Sequence, residues 1–221
     1  MEWQLLKGCI GLCLLLTSHG AASEGSHPIA QYVRALESSY RDVKTLRADF
    51  TQTYVWGGRT RVESGTVYFA RGGLMRWDYR VPKPKLFLSN RKELILYVPD
   101  EKQVTRSPVK SSEDVRVPFR LLLSRFDLSK IFSKIEFSEE APKFQSQDRV
   151  LRAVPRRGQE EAYTEILIQV TPEFDIRRLV VSYPDQSRME FSFDHTERNV
   201  RLSPDLFRFE PPPGTEVIKQ P

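Results

Sequence analysis

The sequence predicts a mainly β protein with a few helices, an α+β fold built on a single antiparallel sheet. Two patterns lead to this prediction. Apolar and polar residues alternate with period two along many short segments, which turns rich in glycine and proline separate. Apolar residues recur at helical spacing near the start of the chain and again in its middle. Because the connections between the predicted strands are short, we expect antiparallel neighbours in a sheet that curls strongly on itself.

The first predicted element is an amphipathic helix that begins near residues 26–28. The apolar residues of its buried face lie four, three, four and three positions apart, which is helical spacing: Ile29, Val33, Leu36, Tyr40 and Val43. Pro28 suits the first turn of a helix, where the missing N–H has no intrahelical partner to lose.

Period-two alternation then predicts the strands. It is clearest at residues 75–80, 165–170 and 188–193. Further strands are expected at residues 47–55, 62–70, 85–90, 93–98, 103–107, 149–154 and 176–183. The predicted inner face of the sheet carries Phe50, Trp77, Tyr79, Leu88 and Phe191. The pattern alone leaves open whether these side chains form a solid core or line a ligand cavity.

Residues 117–132 interrupt the strands with apolar residues at helical spacing. Phe119, Leu122 and Phe126 follow Pro118 in this segment, which predicts one or two short helices. Together with the first helix, they can cover the concave apolar face of a curled sheet.

The first 22 residues have the features of a secretory signal peptide. Residues 8–16 form an apolar run, and Gly20-Ala21-Ala22 satisfies the small-x-small rule for cleavage near Ala22/Ser23. The run is much shorter than the roughly 20 residues that a membrane-spanning helix needs, which disfavours a membrane anchor.

Both cysteines, Cys9 and Cys13, lie inside this signal segment, and neither stands at its end. We therefore predict a mature chain, residues 23–221, that is one domain with neither a disulfide nor a lipidated cysteine.

Composition and motifs exclude several classes of function. The mean hydropathy of -0.46 is too low for a polytopic membrane protein, and the net charge of +5 is too small to indicate a nucleic-acid-binding protein. The sequence contains only three histidines, and it has no H-E-x-x-H, G-x-S-x-G or G-x-x-x-x-G-K motif. We predict neither an enzyme nor a metal or other cofactor, and no nucleic-acid partner.

Arg71 stands at a strand-turn-strand junction, after Val67-Tyr68-Phe69-Ala70 and before Gly72-Gly73. An arginine at the end of a hairpin is most often solvated. Alternatively, its guanidinium could bond to backbone carbonyls of the covering helices and hold them closed, because it presents five donors in one plane.

The segment from Ser64 to Tyr79, SGTVYFARGGLMRWDY, resembles the LolA-type periplasmic carriers of outer-membrane lipoproteins. The resemblance lies in a strand that begins with glycine, a basic turn and a second strand that ends in aromatic residues. Other segments follow in the order expected for this family: Ala48–Gln52, Leu88–Asn90, Leu96–Pro99, Gln103-Val104, Pro118-Phe119 and Phe207–Ile218.

The resemblance implies an open, incomplete β-barrel with a helical lid over an apolar cavity. It implies a periplasmic carrier that takes acylated lipoproteins from an inner-membrane ABC transporter and passes them to an outer-membrane receptor. In the family, an arginine at the position of Arg71 bonds to the lid and helps to set opening and release. Gly72 stands here where many relatives have proline. The residue matching Met75 faces the cavity or a partner, and its alternation with Trp77 favours the cavity.

From the resemblance we predict a binding site that comprises the lid contact and the wall of an acyl cavity: Arg71, Leu36, Phe50, Tyr68, Met75, Trp77, Tyr79, Phe119, Leu122 and Phe191. We expect a monomer. A lipid-binding or lipoprotein-stress sensor module of the same fold is the main alternative. An outer-membrane receptor would need a lipidated cysteine at its mature N-terminus, and a periplasmic enzyme acting on lipids is a further alternative.

Overall fold

The computed structural model describes residues 27–109, 127–139, 141, 144–158 and 162–220. The predicted signal segment and the predicted helical residues Phe119, Leu122 and Phe126 lie outside these ranges. The described elements are α1 (His27–Tyr40), β1 (Thr45–Trp56), β2 (Arg59–Ala70), β3 (Leu74–Val81), β4 (Lys85–Asn90), β5 (Glu93–Val98), β6 (Gln103–Pro108), α2 (Leu128–Ile131), β7 (Phe132–Phe137), β8 (Arg149–Pro155), β9 (Glu165–Val170), β10 (Ile176–Ser182), β11 (Arg188–Arg198) and β12 (Glu216–Lys219). Two 3₁₀ turns, Pro99–Glu101 and Pro204–Phe207, accompany them.

All twelve strands belong to one sheet, in the order β12-β6-β5-β4-β3-β2-β1-β11-β10-β9-β8-β7. The sheet is open, because β12 and β7 form its two edges. This confirms the predicted single, unclosed sheet with few helices. The prediction that every strand is antiparallel is wrong in one place, because β12 pairs with β6 in parallel. The chain reaches that position through the long segment after β11, so a short hairpin connection does not constrain the direction of β12.

The main core lies between the inner face of the sheet and α1. The helix contributes Val33, Leu36 and Tyr40, which are all at least nine-tenths buried. These are three of the five residues at the predicted helical spacing, whereas Val43 comes after the helix ends. Burial of this stripe is what holds the helix on the sheet, because apolar area removed from water contributes roughly 25 cal/mol per Å².

Aromatic rings fill the centre of this core. The Trp77 side chain is fully buried, and its ring centroid lies 5.4 Å from that of Phe191. Phe50 meets Trp77 edge to face at 4.7 Å and Tyr79 at 4.9 Å. Such edge-to-face pairs are favourable beyond the area they bury. Apolar alternation left open whether these residues form a solid core or line a ligand cavity. In the structure they form a solid core.

Leu88 does not lie on the inner face, contrary to the prediction. It packs instead with Leu86, Ile95 and Val104 in a second, smaller cluster, which Phe209 covers in part. Strand β4 carries three consecutive apolar residues at positions 86–88, so alternation could not show which of them faces α1. In the structure it is Phe87 that packs against the main core.

Gly65 allows β2 and β3 to approach closely beside the aromatic residues. A Cβ atom at this position would lie 1.9 Å from the carbonyl oxygen of Asp78 on β3. Gly65 is also opposite Phe50 on β1 and Tyr79 on β3. The missing side chain leaves the space in which these two rings meet, which explains why this strand needs a glycine near its middle.

Candidate functional site

A groove of about 530 Å³ lies between α1 and the edge strand β7. From α1, it is lined by Ile29, Val33 and Glu37, which follow one another at intervals of four residues. On the opposite side, Phe132 and Ile135 of β7 contribute apolar surface. The groove therefore combines an apolar floor with a helix that covers one side of it, and its volume falls in the range of about 300–1,000 Å³ typical of small-molecule sites.

Polar bonds at the margin of the groove position the short helix α2. The backbone N–H of Leu128 donates to Oε1 of Glu37 on α1 at 2.7 Å. Arg156, which follows β8, donates to the backbone carbonyl of Lys130 at 3.0 Å and also to that of Ser129. Both ends of α2 are thus held by side chains from other elements, and Glu37 directly connects α1 to it.

Burial raises the pKa of the Glu37 carboxyl, and the bond from the Leu128 N–H opposes this effect. Asp127 nearby acts in the same direction as burial. Asp127 also caps α2 through the N–H of Lys130.

Arg71 bonds to the segment that joins α1 to β1. Its Nε donates to the carbonyl of Val43 at 2.9 Å, and its Nη2 donates to the carbonyl of Arg41. The backbone N–H of Arg71 donates to the carbonyl of Lys44 at 3.0 Å. A small crevice lined by residues 43–46 and 69–71 surrounds these bonds. The guanidinium therefore satisfies carbonyls of the segment just after α1, near the end of the helix where its dipole also favours a cation.

Two further side chains hold the same end of α1. The Tyr40 hydroxyl accepts a hydrogen bond from the N–H of Ile176 at 3.0 Å, and the Arg198 guanidinium lies 4.6 Å above the Tyr40 ring. Burial raises the pKa of Tyr40 to about 12, against the smaller opposing effects of Ile176 and Arg198. Arg198 also donates to the carbonyl of Ser39 at 3.3 Å. The described polar bonds of α1 to the sheet thus lie at its C-terminal end.

Most of the predicted site residues lie in the packed core that backs the groove. Leu36, Phe50, Met75, Trp77 and Phe191 are all less than 5% exposed. They belong to the same core cluster as Val33 and Phe132, which line the groove, but none of them lines it. The structure therefore packs them together in a closed and filled arrangement.

Tyr79 lies at the margin of the aromatic core and is partly buried. Its hydroxyl donates to Oε1 of Gln52 at 2.7 Å, and Nζ of Lys85 lies 4.1 Å above its ring. Burial raises the pKa of Tyr79, and the nearby Glu63 carboxylate raises it further. Tyr79 is therefore a neutral hydrogen-bond donor at ordinary pH.

Three predicted residues do not join this cluster within the described structure. Tyr68 alternates with the core residues Val67 and Phe69, so it lies on the other face of β2, where it interacts with Arg47. Phe119 and Leu122 lie outside the described residues.

Of the residues that line the groove, the apolar spacing of the first helix predicted Ile29 and Val33 on its buried face, but the residues of β7 and the polar residues that bond across the groove were not predicted. Glu37 is on the same helical stripe as Val33, but an acidic residue in a surface helix is usually solvated. Arg156 belongs to an Arg-Arg pair in a turn, and Phe132 was assigned to the end of a helical segment. Only the position of Glu37, one turn after Val33, could have indicated that it faces the groove.

Within the described ranges, no cluster of three or more histidine, cysteine or acidic side chains could hold a metal ion. No α-helix in those ranges is both long and apolar enough to cross a membrane.

Comparisons with known proteins agree with the resemblance seen in the sequence. Residues 41–210 match the sequence model of the family described as outer membrane lipoprotein carrier protein LolA. The outer-membrane lipoprotein carrier protein of Nitrosospira multiformis is 28% identical over 216 residues, which cover 97% of this chain and 98% of that protein. The protein of the same name from Coxiella burnetii is 29% identical over 221 residues, with 98% of each chain covered.

The fold also matches a solved structure of low sequence identity. An uncharacterized conserved protein from Thermus thermophilus superposes with a TM-score of 0.55 at 12% identity, over 86% of this chain and 99% of that one. This likeness concerns the fold alone. Since the family model covers 170 of the 221 residues, the chain belongs to the LolA family of outer-membrane lipoprotein carrier proteins.

Proposed function

We propose that this protein is a periplasmic carrier that binds the acyl chains of lipoproteins released from the inner membrane and delivers them to the outer membrane. Membership of the LolA family supports this proposal, as do the names of the relatives that align over nearly the whole chain. The structural observation that carries it is the apolar groove between α1 and the edge strand β7.

The groove suits a ligand that must be shielded from water and later released. Burial of each CH₂ group contributes about 0.8 kcal/mol, so a long acyl chain gains on the order of 10 kcal/mol from a complete apolar enclosure. Without such an enclosure, a lipid-anchored protein cannot cross an aqueous compartment, because its acyl chains would be exposed to water. Transport in this form requires binding and release, and no chemical step on the cargo.

Release of the lipoprotein requires that the protein without cargo, with α1 closed on the sheet, be stable. Side-chain contacts of Val33, Leu36 and Tyr40 favour the position of α1 on the sheet, and Arg71 and Arg198 bond to its C-terminal end. When an acyl chain displaces part of these contacts, their loss is subtracted from its binding free energy. The closed state of α1 therefore tunes the affinity for the cargo.

The direction of transport must come from partners. A carrier that binds by affinity alone takes its cargo from a membrane only when another protein supplies the energy of release. We propose an inner-membrane ABC transporter as donor and an outer-membrane receptor as acceptor. We further propose that the carrier works as a monomer.

The test measures whether the protein removes a triacylated lipoprotein from inner-membrane vesicles that contain the transporter and ATP. The wild-type protein is expected to bring the lipoprotein into the soluble fraction. Ile135→Glu places a carboxylate on the partly buried wall of the groove and is expected to reduce this release about ten-fold or more, because a charge opposes burial of an acyl chain.

Leu96→Glu is the matched control, because Leu96 is exposed and lies on β5, away from the groove. It should release lipoprotein as the wild type does. If Ile135→Glu released as much lipoprotein as the wild type does, the groove would not be the site that binds the acyl chains. Failure of the wild type to solubilise lipoprotein, with free lipid found in the protein by native mass spectrometry, would favour the sensor or lipid-binding alternative.

A further inference from the structure

The β1–β2 hairpin ends in an arm that extends well beyond the end of β3 and, from residue 56 onward, beyond the end of β11. The pairing of β2 with β3 begins at Ser64, and the pairing of β1 with β11 ends at Val55, opposite Arg188. We call residues 54–63 the hairpin arm. Residues 57–62 are all exposed, and Gly57 and Gly58 at the tip have φ angles of 49° and 73°, which suit a tight two-residue turn.

One face of the arm carries stacked aromatic rings and arginines. The Tyr54 and Trp56 rings lie 4.8 Å apart at an interplanar angle of 17°. Arg59 is directly opposite Trp56, and Arg61 is opposite Tyr54. The Arg61 guanidinium lies 6.0 Å from the centre of the Trp56 ring. Aromatic rings and arginines are thus interleaved along this face.

The other face of the arm carries an exposed aliphatic side chain. Val62 pairs with Thr53 and is 51% exposed, and Val81, at the nearby end of β3, is 56% exposed. Scattered exposed valines are common, but here Val62 lies within the arm itself, and Val81 lies opposite Ser64 at the base of the arm. The arm therefore presents apolar groups on both of its faces.

The charges around the tip are mainly basic. Arg59 and Arg188 are exposed, and the Arg61 side chain is 53% exposed. The acidic residue of the arm, Glu63, is buried; it accepts two hydrogen bonds from Lys85, at 2.7 and 2.8 Å, and lies 3.7 Å from the Nε of Arg61. Its charge is therefore balanced within the protein, and the exposed surface of the tip is cationic.

We propose that the hairpin arm inserts into the headgroup region of anionic phospholipid membranes and so holds the protein at a membrane surface. Tryptophan and tyrosine favour the interface because their rings are apolar at one end and polar at the other. Arginine pairs with lipid phosphates, and a cluster of such residues is attracted to an anionic surface. A projecting tip that is apolar on both faces fits between lipids better than it fits the flat surface of a folded protein.

This inference goes beyond lipoprotein carriage and does not depend on the groove. The test uses the exported form of the protein, in which the two remaining tryptophans are Trp56 and the fully buried Trp77. Vesicles of phosphatidylglycerol and phosphatidylethanolamine, with dibrominated acyl chains, are mixed with the protein at low salt. The expected result is sedimentation with the vesicles and quenching of the Trp56 emission, neither of which occurs with vesicles of phosphatidylcholine.

Arg59→Glu is expected to weaken vesicle binding by about ten-fold or more, because it reverses one charge at the tip. Arg59→Lys should bind nearly as well as the wild type. Arg201→Glu is the matched control, since it makes the same change in net charge at an exposed site beyond the opposite end of β11. Circular dichroism of each variant verifies that it is folded.

Equal losses in Arg59→Glu and Arg201→Glu would overturn the proposal, because binding would then reflect net charge alone. Unchanged Trp56 emission with anionic vesicles would also overturn it. In that case the unpaired edge of residues 59–63 would point instead to strand pairing with a protein partner.

Discussion

The Arg71 side chain anchors the segment that connects α1 to β1. Its three backbone and side-chain bonds reach residues 41–44, the segment between α1 and β1. This is the end of α1 that must stay near the sheet, because the chain continues there into the first strand. Arg71 therefore ties the C-terminal end of α1 to the turn between β2 and β3, and we predict that the groove opens by movement of the N-terminal half of the helix.

Arg71→Leu is predicted to accept lipoprotein but to deliver it poorly. Without the guanidinium, two carbonyls lose their donors, the closed position of α1 is less stable, and the cargo meets less competition. The measurement is transfer of bound lipoprotein from the purified complex to outer-membrane vesicles, for which we expect a loss of several-fold or more.

Arg71→Lys separates the charge from the planar arrangement of donors, and we expect it to restore only part of the transfer. Arg91→Leu provides a nearby control, because Arg91 is exposed and its one side-chain hydrogen bond to another described residue goes to the Arg71 carbonyl at 3.2 Å. If Arg71→Leu transferred lipoprotein as the wild type does, Arg71 would have a purely structural role.

Tyr40 gives a prediction for alkaline pH. Its pKa is raised from 10 to about 12 in the folded protein, so the unfolded chain loses this proton first as the pH rises. The stability that comes from keeping Tyr40 neutral is therefore complete below pH 10. It is lost between pH 10 and 12, by an amount on the order of 2 kcal/mol.

Tyr40→Phe isolates this effect. At pH 8 it should be less stable by about 1–3 kcal/mol, because the buried N–H of Ile176 loses its acceptor. Between pH 10 and 12 the difference from the wild type should narrow, since only the wild type then ionises Tyr40. Urea unfolding at several pH values measures it, and a constant difference would contradict the assignment.

At the scale of elements, α1 is attached differently at its two ends. Its C-terminal end is held by Tyr40, by Arg198 and, through the segment that follows the helix, by Arg71; Glu37, which bonds to α2, also lies in its last turn. We therefore predict that the N-terminal half of α1 pivots away from β7 once the bond from Leu128 to Glu37 is broken.

Glu37→Leu should free the N–H of Leu128 and speed its hydrogen exchange, with a stability loss of about 1–2 kcal/mol. We also expect faster uptake of an acyl chain. Glu37→Gln keeps an acceptor oxygen for the Leu128 N–H. It also removes the partly buried carboxylate, whose burial raises the pKa of Glu37. It should exchange as the wild type does. Exchange measured by mass spectrometry on peptides that contain residues 127–132 tests both variants, and equal protection in all three proteins would refute the pivot.

Strands with one clear apolar face were predictable from the sequence, as for β3, where Met75, Trp77 and Tyr79 point into the core. Strand β7 was not predicted, because a register shift between Phe132 and Lys134 interrupts its period of two. Strand β12 was not predicted either, since all four of its residues are exposed and its pairing depends on a partner more than 100 residues away.

The candidate site was less predictable than the fold. The resemblance led to Arg71, whose guanidinium donates to backbone carbonyls of the segment that follows α1; its role in opening and release stays a prediction. Apolar alternation identified residues that pack together, but it carries no information on where packing leaves space. The groove depends on the distance between α1 and an unpredicted strand, so its wall at Phe132 and Ile135 became visible only in three dimensions.

At the scale of the whole molecule, the two edges of the open sheet are the places where it can pair with strands of another chain. Strand β12 covers the outer edge of β6 with an exposed strand of four residues. It buries little apolar area, and its main effect is to occupy backbone groups that could otherwise pair with another chain.

A chain that ends after Pro213 should therefore fold, with a loss of about 1 kcal/mol, or roughly 2–4 °C in Tm. It should also self-associate more strongly than the wild type, because the edge of β6 is open. Calorimetry and sedimentation velocity measure the two effects. Val217→Lys, which keeps the strand but changes an exposed side chain, is the control and should stay monomeric. A truncated chain that also stayed monomeric would show that β12 has another role.

The order of the strands has a consequence for export. Strands β1–β6 form one continuous meander, and strands from the later part of the chain flank it on both sides, β11 beside β1 and β12 beside β6. When the chain crosses a membrane from its N-terminus, this meander emerges first, and the outer edges of β1 and β6 are still unpaired. The sheet is complete only when the final residues emerge, so we expect the half-translocated chain to be the form that most needs protection by a chaperone.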